Sequence, residues 1–320
     1  MNDKTGLLSV VIPMYNEEQV IDETRRRLVQ AFTDFDMDVE FIFVNDGSRD
    51  STMSKLREFS KEDPRIKVVN FARNFGHQIA ITAGMDYARG DCVAVIDGDL
   101  QDPPELIPEM VKKWREGYEV VYGKRLKRAG ESAFKRLTAK VFYRFLDGMT
   151  DVKLPVDVGD FRLIDRKVCD CMLRLPERSR YVRGLISWLG FRQTMVEFNR
   201  DARFAGETKY PLKKMLKLAF DGITSFSTKP LKFATTFGVV ISAASFVYLI
   251  VVLVQAIFYR DLVQGWASSM AVTLFLSGVI LIALGVIGAY VGRIYEEVKG
   301  RPLYIVGELL GIDDDKFKRQ

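Results

Sequence analysis

Along the first half of the chain, short apolar runs alternate with longer stretches in which apolar residues recur every third or fourth position. "LLSVVIP" (Leu7–Pro13), "VEFIFVND" (Val39–Asp46), "IKVVNFA" (Ile66–Ala72), "CVAVID" (Cys92–Asp97) and "YEVVYG" (Tyr118–Gly123) are rich in β-branched and aromatic residues. Runs of that length and composition predict strands. "NEEQVIDETRRRLVQAF" reads as a helix with Asn16 as N-cap and acids in its first turn, "GHQIAITAGMDYA" as a second, and "PPELIPEMVKKWREG" as a third opened by proline. Strands apolar throughout, separated by helices, predict a parallel sheet covered on both faces. Right-handed crossovers then bring the loops after the strands to one edge, where open α/β sheets bind their ligands.

Near Lys232 the pattern changes. From Phe233 to Tyr259, and again from Leu262 to Gly292, no charged residue occurs. Each stretch exceeds the roughly 20 apolar residues that span a bilayer. Lys209, Lys213, Lys214, Lys217, Lys229 and Lys232 precede the first span, Arg293, Lys299 and Arg301 follow the second, and the loop between offers only Arg260 beside Asp261. That asymmetry predicts a multi-pass membrane protein, with the cell inner (plasma) membrane as its expected place, and both termini and the large domain cytoplasmic. The expected layout is a large α/β domain over residues 1–208, an interfacial amphipathic segment over 209–232, spans at 233–259 and 262–292, and a cytoplasmic tail over 293–320. "YPLKKMLKLAFDGITSF" mixes lysines with Leu, Met and Phe, as an interfacial helix would.

Composition narrows the chemistry. The net charge of +5 is too small to argue for nucleic acid. The three cysteines, Cys92, Cys169 and Cys171, form no even framework and are expected as free thiols. His77 is the sole histidine, which disfavours a histidine-centred triad, and it is expected as a packed surface residue or at most a neighbour of the bound ligand. The opening residues carry no long apolar core, so no secretory leader is expected.

Acidic residues gather at the predicted ligand edge. In "VAVIDGDLQDPPE", Asp97 and Asp99 follow the fourth strand, spaced so that both carboxylates can face one side. With Gln101 they suit Mg²⁺ or Mn²⁺ carried in with a phosphorylated substrate. Asp102 is expected to cap the helix begun by Pro103 and Pro104. Tyr15, Asn16 and Glu17 follow the first strand and Asp46 the second, where an acid can meet a ribose or a base edge. No G-x-G-x-x-G follows the first strand and no G-x-x-x-x-G-K-[ST] occurs, so dinucleotide and P-loop readings lose their main support.

"SVVIPMYNEE", "VNDGSRDST", "RNFGHQIAITAG", "DGDLQDPPE" and "VGDFRLIDR" together resemble family-2 glycosyltransferases of GT-A fold. More narrowly they resemble the polyisoprenyl-phosphate glycosyltransferases, including bacterial undecaprenyl-phosphate glucosyltransferases and dolichol-phosphate mannose synthases. The paired spans and "GRIYEEVKGRPLYIV" extend the likeness over essentially the whole chain. The resemblance implies an α/β, GT-A (Rossmann-like) nucleotide-sugar transferase domain with two C-terminal transmembrane helices. It implies inverting transfer of a sugar, with UDP-glucose or a related UDP-sugar preferred as donor, to a polyprenyl phosphate at the cytoplasmic leaflet.

Carried onto this sequence, the resemblance puts Pro13, Tyr15, Glu17 and Asp46 at the nucleoside, with Arg73 nearby. Asp97 would reach the ribose or sugar end of the donor, and Asp97, Asp99 and Gln101 would meet the metal. Arg203 and Lys209 would close over the diphosphate, and Arg125 and Arg136 would grip the acceptor phosphate. Asp160 would stand at the reaction centre, either as general base or orienting Arg162 and the sugar, with Asp157 as runner-up. The alternatives are a GDP-mannose-dependent transferase and a non-enzymatic nucleotide-binding membrane protein. The tail after the second span is a candidate contact in a homo-oligomer.

Overall fold

The computed structural model describes residues 6–126, 158–178, 180–198, 229–258 and 265–313. These fall into two compact units: one holds residues 6–126, 158–198 and 301–313, and the other holds 229–258 and 265–300. Arg136, Asp157, Arg203, Lys209 and the proposed interfacial segment up to residue 228 lie outside the described residues.

The first unit is built on one eight-stranded sheet. In chain order come β1 (Leu7–Met14), α1 (Ile21–Ala31), β2 (Asp38–Asn45), α2 (Thr52–Glu62), β3 (Ile66–Phe71), α3 (His77–Tyr87) and β4 (Cys92–Val95). There follow α4 (Ile107–Arg115), β5 (Val120–Arg125), β6 (Val158–Asp165), α5 (Arg166–Arg174), α6 (Val182–Trp188), β7 (Gln193–Phe198) and, late in the chain, β8 (Val306–Leu310). The strand order is β7-β5-β6-β4-β1-β2-β3-β8. β1 is buried at every position from Leu8 to Met14, as a strand covered on both faces must be. Val10, Ile12, Phe41, Phe43, Phe161 and Leu163 carry the core. α3 lies so close over β1 that a Cβ on Gly84 would fall 2.1 Å from Val11 Cγ1.

The sheet is mixed where a parallel one was expected. β1, β2, β3 and β4 are parallel, but the fifth predicted strand does not lie beside the fourth. β6 inserts between them, antiparallel to both β4 and β5. This reversal has a consequence for the site: an antiparallel strand brings its start, not its end, to the edge where the parallel strands finish. The residues expected as tail also include β8, which pairs antiparallel with β3. Tyr304, just before it, stacks on Phe71 at 5.2 Å and donates its hydroxyl to Asp86 at 2.7 Å.

The second unit holds α7 (Lys229–Phe258) and α8 (Trp266–Val298), which touch each other. Both are long and apolar enough to cross a membrane, with mean hydropathy 1.5 over Lys229–Tyr248 and 2.2 over Phe275–Val298. Their apolar side chains are largely exposed, with Leu281 and Ile282 among the most open, whereas a helix in a soluble core would bury them.

Candidate active site

The C-terminal ends of β1, β2 and β4 and the N-terminal end of β6 meet at one edge. β4 and β6 pair Val95 with Arg162. Continued outward, that antiparallel register sets Asp97 opposite Asp160, although the two lie far apart in sequence.

The loop after β4 is tightly held. A Cβ on Gly98 would fall 2.2 Å from Met14 Sδ, so the loop passes close against β1. Thr24 Oγ1 donates to the Gly98 carbonyl at 3.0 Å, tying the loop to α1. Leu100 has φ 60°, uncommon for a bulky side chain, and is buried. Burying that leucine fixes the turn in which the Gln101 N–H donates to Asp99 Oδ1 at 3.2 Å. The acidic loop is therefore shaped before any ligand arrives.

Asp160 is held by three side chains, Arg183, Gln78 and His77. It is only 3% exposed. Arg183 on α6 grips it with two bonds, Nε to Oδ1 at 2.8 Å and an Nη to Oδ2 at 2.9 Å. Gln78 donates to Oδ2 at 3.1 Å, as does His77 Nε2 at 3.1 Å. Burial disfavours the carboxylate, but the bonds from Arg183 and His77, with the Arg183 and Arg162 charges, hold Asp160 well below the usual carboxylate range. An ionised Asp160 can only accept, so His77 Nε2 carries the proton.

His77 stands at the surface, as expected, but with two acidic partners. Its side chain, at the first position of α3, bridges two carboxylates: Asp160 at 3.1 Å and Asp97 Oδ1 at 3.5 Å. Burial works against its charged form, yet the bond to Asp160 and the charges of Asp97 and Asp160 raise it above an ordinary histidine. Asp97 behaves oppositely to Asp160. Burial, together with Asp102, Asp160 and Asp99 and offset in part by His77, pushes it up to about 6. Its Oδ1 is buried and makes no hydrogen bond among the described residues.

Arg162 lies beneath the site rather than in it. Its buried guanidinium turns back to the carbonyls of Gly159 at 2.8 Å and Asp160 at 3.3 Å. Desolvation lowers it to about 10. Arg125, at the end of β5, places an Nη 3.2 Å from Asp102 Oδ1. Asp102 is wholly buried and the following turn has no side-chain cap, so the expected N-cap is instead half of a buried ion pair. The expected cap of α1 also fails. That helix begins only at Ile21, after a turn in which Glu17 O accepts from the N–H groups of Val20 and Ile21. Asn16 takes φ 54° and accepts the Arg49 N–H, joining the β1 and β2 loops.

Asp46, after β2, accepts from the N–H groups of Phe75 at 2.6 Å and Gly76 at 2.9 Å and from Asn74 Nδ2 at 2.9 Å. It thus shapes the loop leading into His77. Burial raises its pKa despite those bonds. Arg73 in the same loop stacks on Phe75, 4.2 Å from the ring centroid. Pro13 is buried within β1, and Tyr15 is exposed just beyond it. Asn16, Glu17, Glu18 and Arg49 are among the residues lining a cavity of about 470 Å³ beside the ends of β1 and β2.

A Glycosyl transferase family 2 profile matches residues 9–173, which contain this edge and all its strand-end acids. The chain belongs to that family. The α/β sheet is accordingly of GT-A type. A second profile, the GtrB C-terminal hairpin, matches residues 229–294. The chain is 58% identical to the uncharacterized glycosyltransferase YkcC of Bacillus subtilis over 97% of this chain and 96% of that protein. It is 41% identical to the bactoprenol glucosyl transferase of Shigella phage SfII, over 93% and 97%. The prophage bactoprenol glucosyl transferase homolog of Escherichia coli is 40% identical over 93% and 98%. Among solved structures, S. aureus TarS 1–349 in complex with UDP-GlcNAc is 18% identical with a TM-score of 0.48, covering 68% of this chain and 65% of that one.

Proposed function

We propose that this chain transfers glucose from UDP-glucose to an undecaprenyl-type phosphate at the cytoplasmic face of the membrane, inverting the anomeric centre. The observation that carries the reading is that similarity to the bactoprenol glucosyl transferase of phage SfII runs through both units, over 93% of this chain. A transferase acting on a lipid phosphate needs a sugar-nucleotide site and a membrane anchor, and the chain pairs an acid-lined GT-A edge with two apolar helices.

The residues of the edge fit a divalent cation. Asp97 Oδ1 is a buried carboxylate oxygen with no hydrogen bond among the described residues, and Asp99 and Gln101 add oxygen donors on the same loop. Among the described residues no group of three or more His, Cys, Asp or Glu side chains forms a metal cage. Mg²⁺ and Mn²⁺ fit that sparse set, because Mg²⁺ in particular is usually held by one or two carboxylates plus substrate phosphates. When bound, the ion would neutralise charge gathering on the departing diphosphate.

The chain's own groups do the rest. Tyr15, Glu17 and Asp46 flank the nucleoside side of the edge, with Pro13 beneath and Arg73 beside them. Arg203 and Lys209 supply positive charge for the diphosphate, and Arg125 and Arg136 for the acceptor phosphate. Asp160, ionised and saturated with donors, orients the centre instead of withdrawing a proton. The acceptor does not need a strong base, since a phosphate monoester with a second pKa near 6 is mostly a dianion at pH 7.

The test is release of nucleoside diphosphate by the purified full chain, with and without undecaprenyl phosphate, across UDP-glucose, other UDP-sugars and GDP-mannose. UDP release from UDP-glucose that requires the lipid phosphate is expected. Preference for GDP-mannose would overturn the donor, and nucleotide binding with no release would make the chain a binding protein.

A further inference from the structure

We propose that Arg183 is a positioning residue of the transfer site: it locks the Asp160 carboxylate, and through it His77, into the geometry that transfer requires. Neutralising a buried charge would not need Arg183 alone, because Arg162 already lies 4.0 Å from Asp160 Oδ1. Arg162, however, has turned its donors to backbone carbonyls and cannot set the direction of the carboxylate. Arg183 can. Its planar fork meets both oxygens, at 2.8 and 2.9 Å, and a fork on a carboxylate fixes rotation as well as distance.

A brace holds the arginine's helix to the same point. Gln78 donates through Nε2 to Asp160 Oδ2 at 3.1 Å and accepts the Val182 N–H through Oε1 at 2.9 Å. The first turns of α3 and α6 are thus fastened to each other across Asp160. His77 precedes Gln78 on α3 and shares Asp160 Oδ2 with it and with Arg183. Turning the carboxylate would move the hydrogen-bond acceptor of His77 and, with it, the imidazole beside Asp97.

Arg183 is about one-third exposed in its side chain, so small solutes can reach the space it would vacate. The role rests on the transferase reading above, but the geometry can be tested without turnover. Because His77 is the only histidine, histidine-selective ¹³C/¹⁵N labelling gives a single imidazole signal. In the full-length detergent-solubilised protein, that signal is expected to shift in Arg183→Ala and much less in Arg183→Lys.

In turnover with UDP-glucose and undecaprenyl phosphate, Arg183→Ala should lose about 10²-fold in kcat, the scale of a small misplacement at a reacting centre. Donor KM should stay within about 3-fold. Arg183→Lys should recover part of the loss, since a point charge replaces the fork. Guanidinium ion should rescue Arg183→Ala where the same concentration of sodium chloride does not. An unmoved His77 signal in a folded Arg183→Ala protein would overturn the proposal, as would unchanged kcat or a loss confined to donor KM. If wild type fails to release nucleoside diphosphate but the His77 signal still shifts in the variant, the transferase reading fails and the positioning role stands.

Discussion

At the scale of single residues, the two aspartates that face each other across β4 and β6 have opposite surroundings. Asp160 is saturated by Arg183, Gln78 and His77, whereas Asp97 Oδ1 makes no hydrogen bond among the described residues and has only the His77 imidazole nearby, at 3.5 Å. The first is an anchor, and the second is the group we propose meets an incoming cation or sugar. Asp160→Asn should therefore cost stability as well as turnover. It leaves two arginines facing a neutral group, and breaking a buried ion pair costs about 3–5 kcal/mol. That figure is an upper bound here, because Arg183 is partly exposed. Thermal unfolding should show a clear drop in Tm, and whatever acid limb the wild-type rate profile has should persist in the variant. A limb that vanishes in Asp160→Asn would restore Asp160 as a general base.

Asp99→Ala should instead abolish transfer with little change in Tm, and EDTA should silence the wild type. Full activity in either case would remove the cation from the site. Glu40 provides a pH test away from the chemistry. It is buried, accepts the Arg89 N–H at 2.8 Å and bonds Ser9 and Lys67. Burial opposes its charge, but those bonds prevail and lower its pKa. A carboxylate lowered on folding contributes stability that is present above its unfolded value and is lost as pH falls through the folded one. Glu40→Gln should flatten the fall of Tm with pH in the acid range, and an unaltered slope would refute the assignment.

The strand-end acids were legible because each stands on an apolar run whose end is plain. Gln78, Arg183 and the role of His77 were not. Their partner Asp160 comes from β6, 83 residues beyond His77 and 23 before Arg183, and no local pattern records such pairings.

At the scale of elements, the apolar runs located β1 to β5, but their neighbours depended on strands the pattern does not announce. β6 begins in a G-D motif read only for its acid, and its antiparallel insertion is what sets Asp160 across from Asp97. β8 follows a membrane-type helix and is short, so charge and position suggested a tail. Two helix caps were misplaced for a similar reason: Asn16 and Asp102 are good caps in isolation, but Asn16 bonds the loop after β2 and Asp102 pairs with Arg125 at the end of β5. Element packing also ties the fold to catalysis. Gly84→Ala would drive a methyl into Val11 and lift α3, which carries His77 and Gln78, away from β1. Overpacking of this kind costs about 1–3 kcal/mol. Tm and turnover should fall together, and full activity at lowered Tm would show that α3 can shift without disturbing Asp160.

At the scale of the whole molecule, connectivity constrains topology independently of charge. The membrane-type hairpin lies in sequence between β7 and β8, and both strands belong to one sheet. A chain that leaves a folded unit for the bilayer and returns to the same unit crosses an even number of times, and α7 and α8 supply two candidate crossings. If the lysines and arginines outside the two apolar stretches set the orientation, as we propose, the sheet lies on the cytoplasmic side. Reporters before residue 1 and after Gln320 should both be active in the cytoplasm, and one active only outside would overturn the orientation and with it a cytosolic donor. The stronger test removes one crossing. Deleting α7 leaves α8 as a single span, which would strand β8 across the membrane from β3. The pairing of Val69 with Leu309, the stacking of Tyr304 on Phe71 and the Arg57–Glu308 ion pair should then all be lost. The catalytic unit of that variant should unfold at lower temperature than a variant in which both helices are replaced by a flexible linker, since the linker lets β8 return. Equal stability of the two deletions would mean that β8 adds nothing to the sheet, and the even-crossing argument would lose its footing.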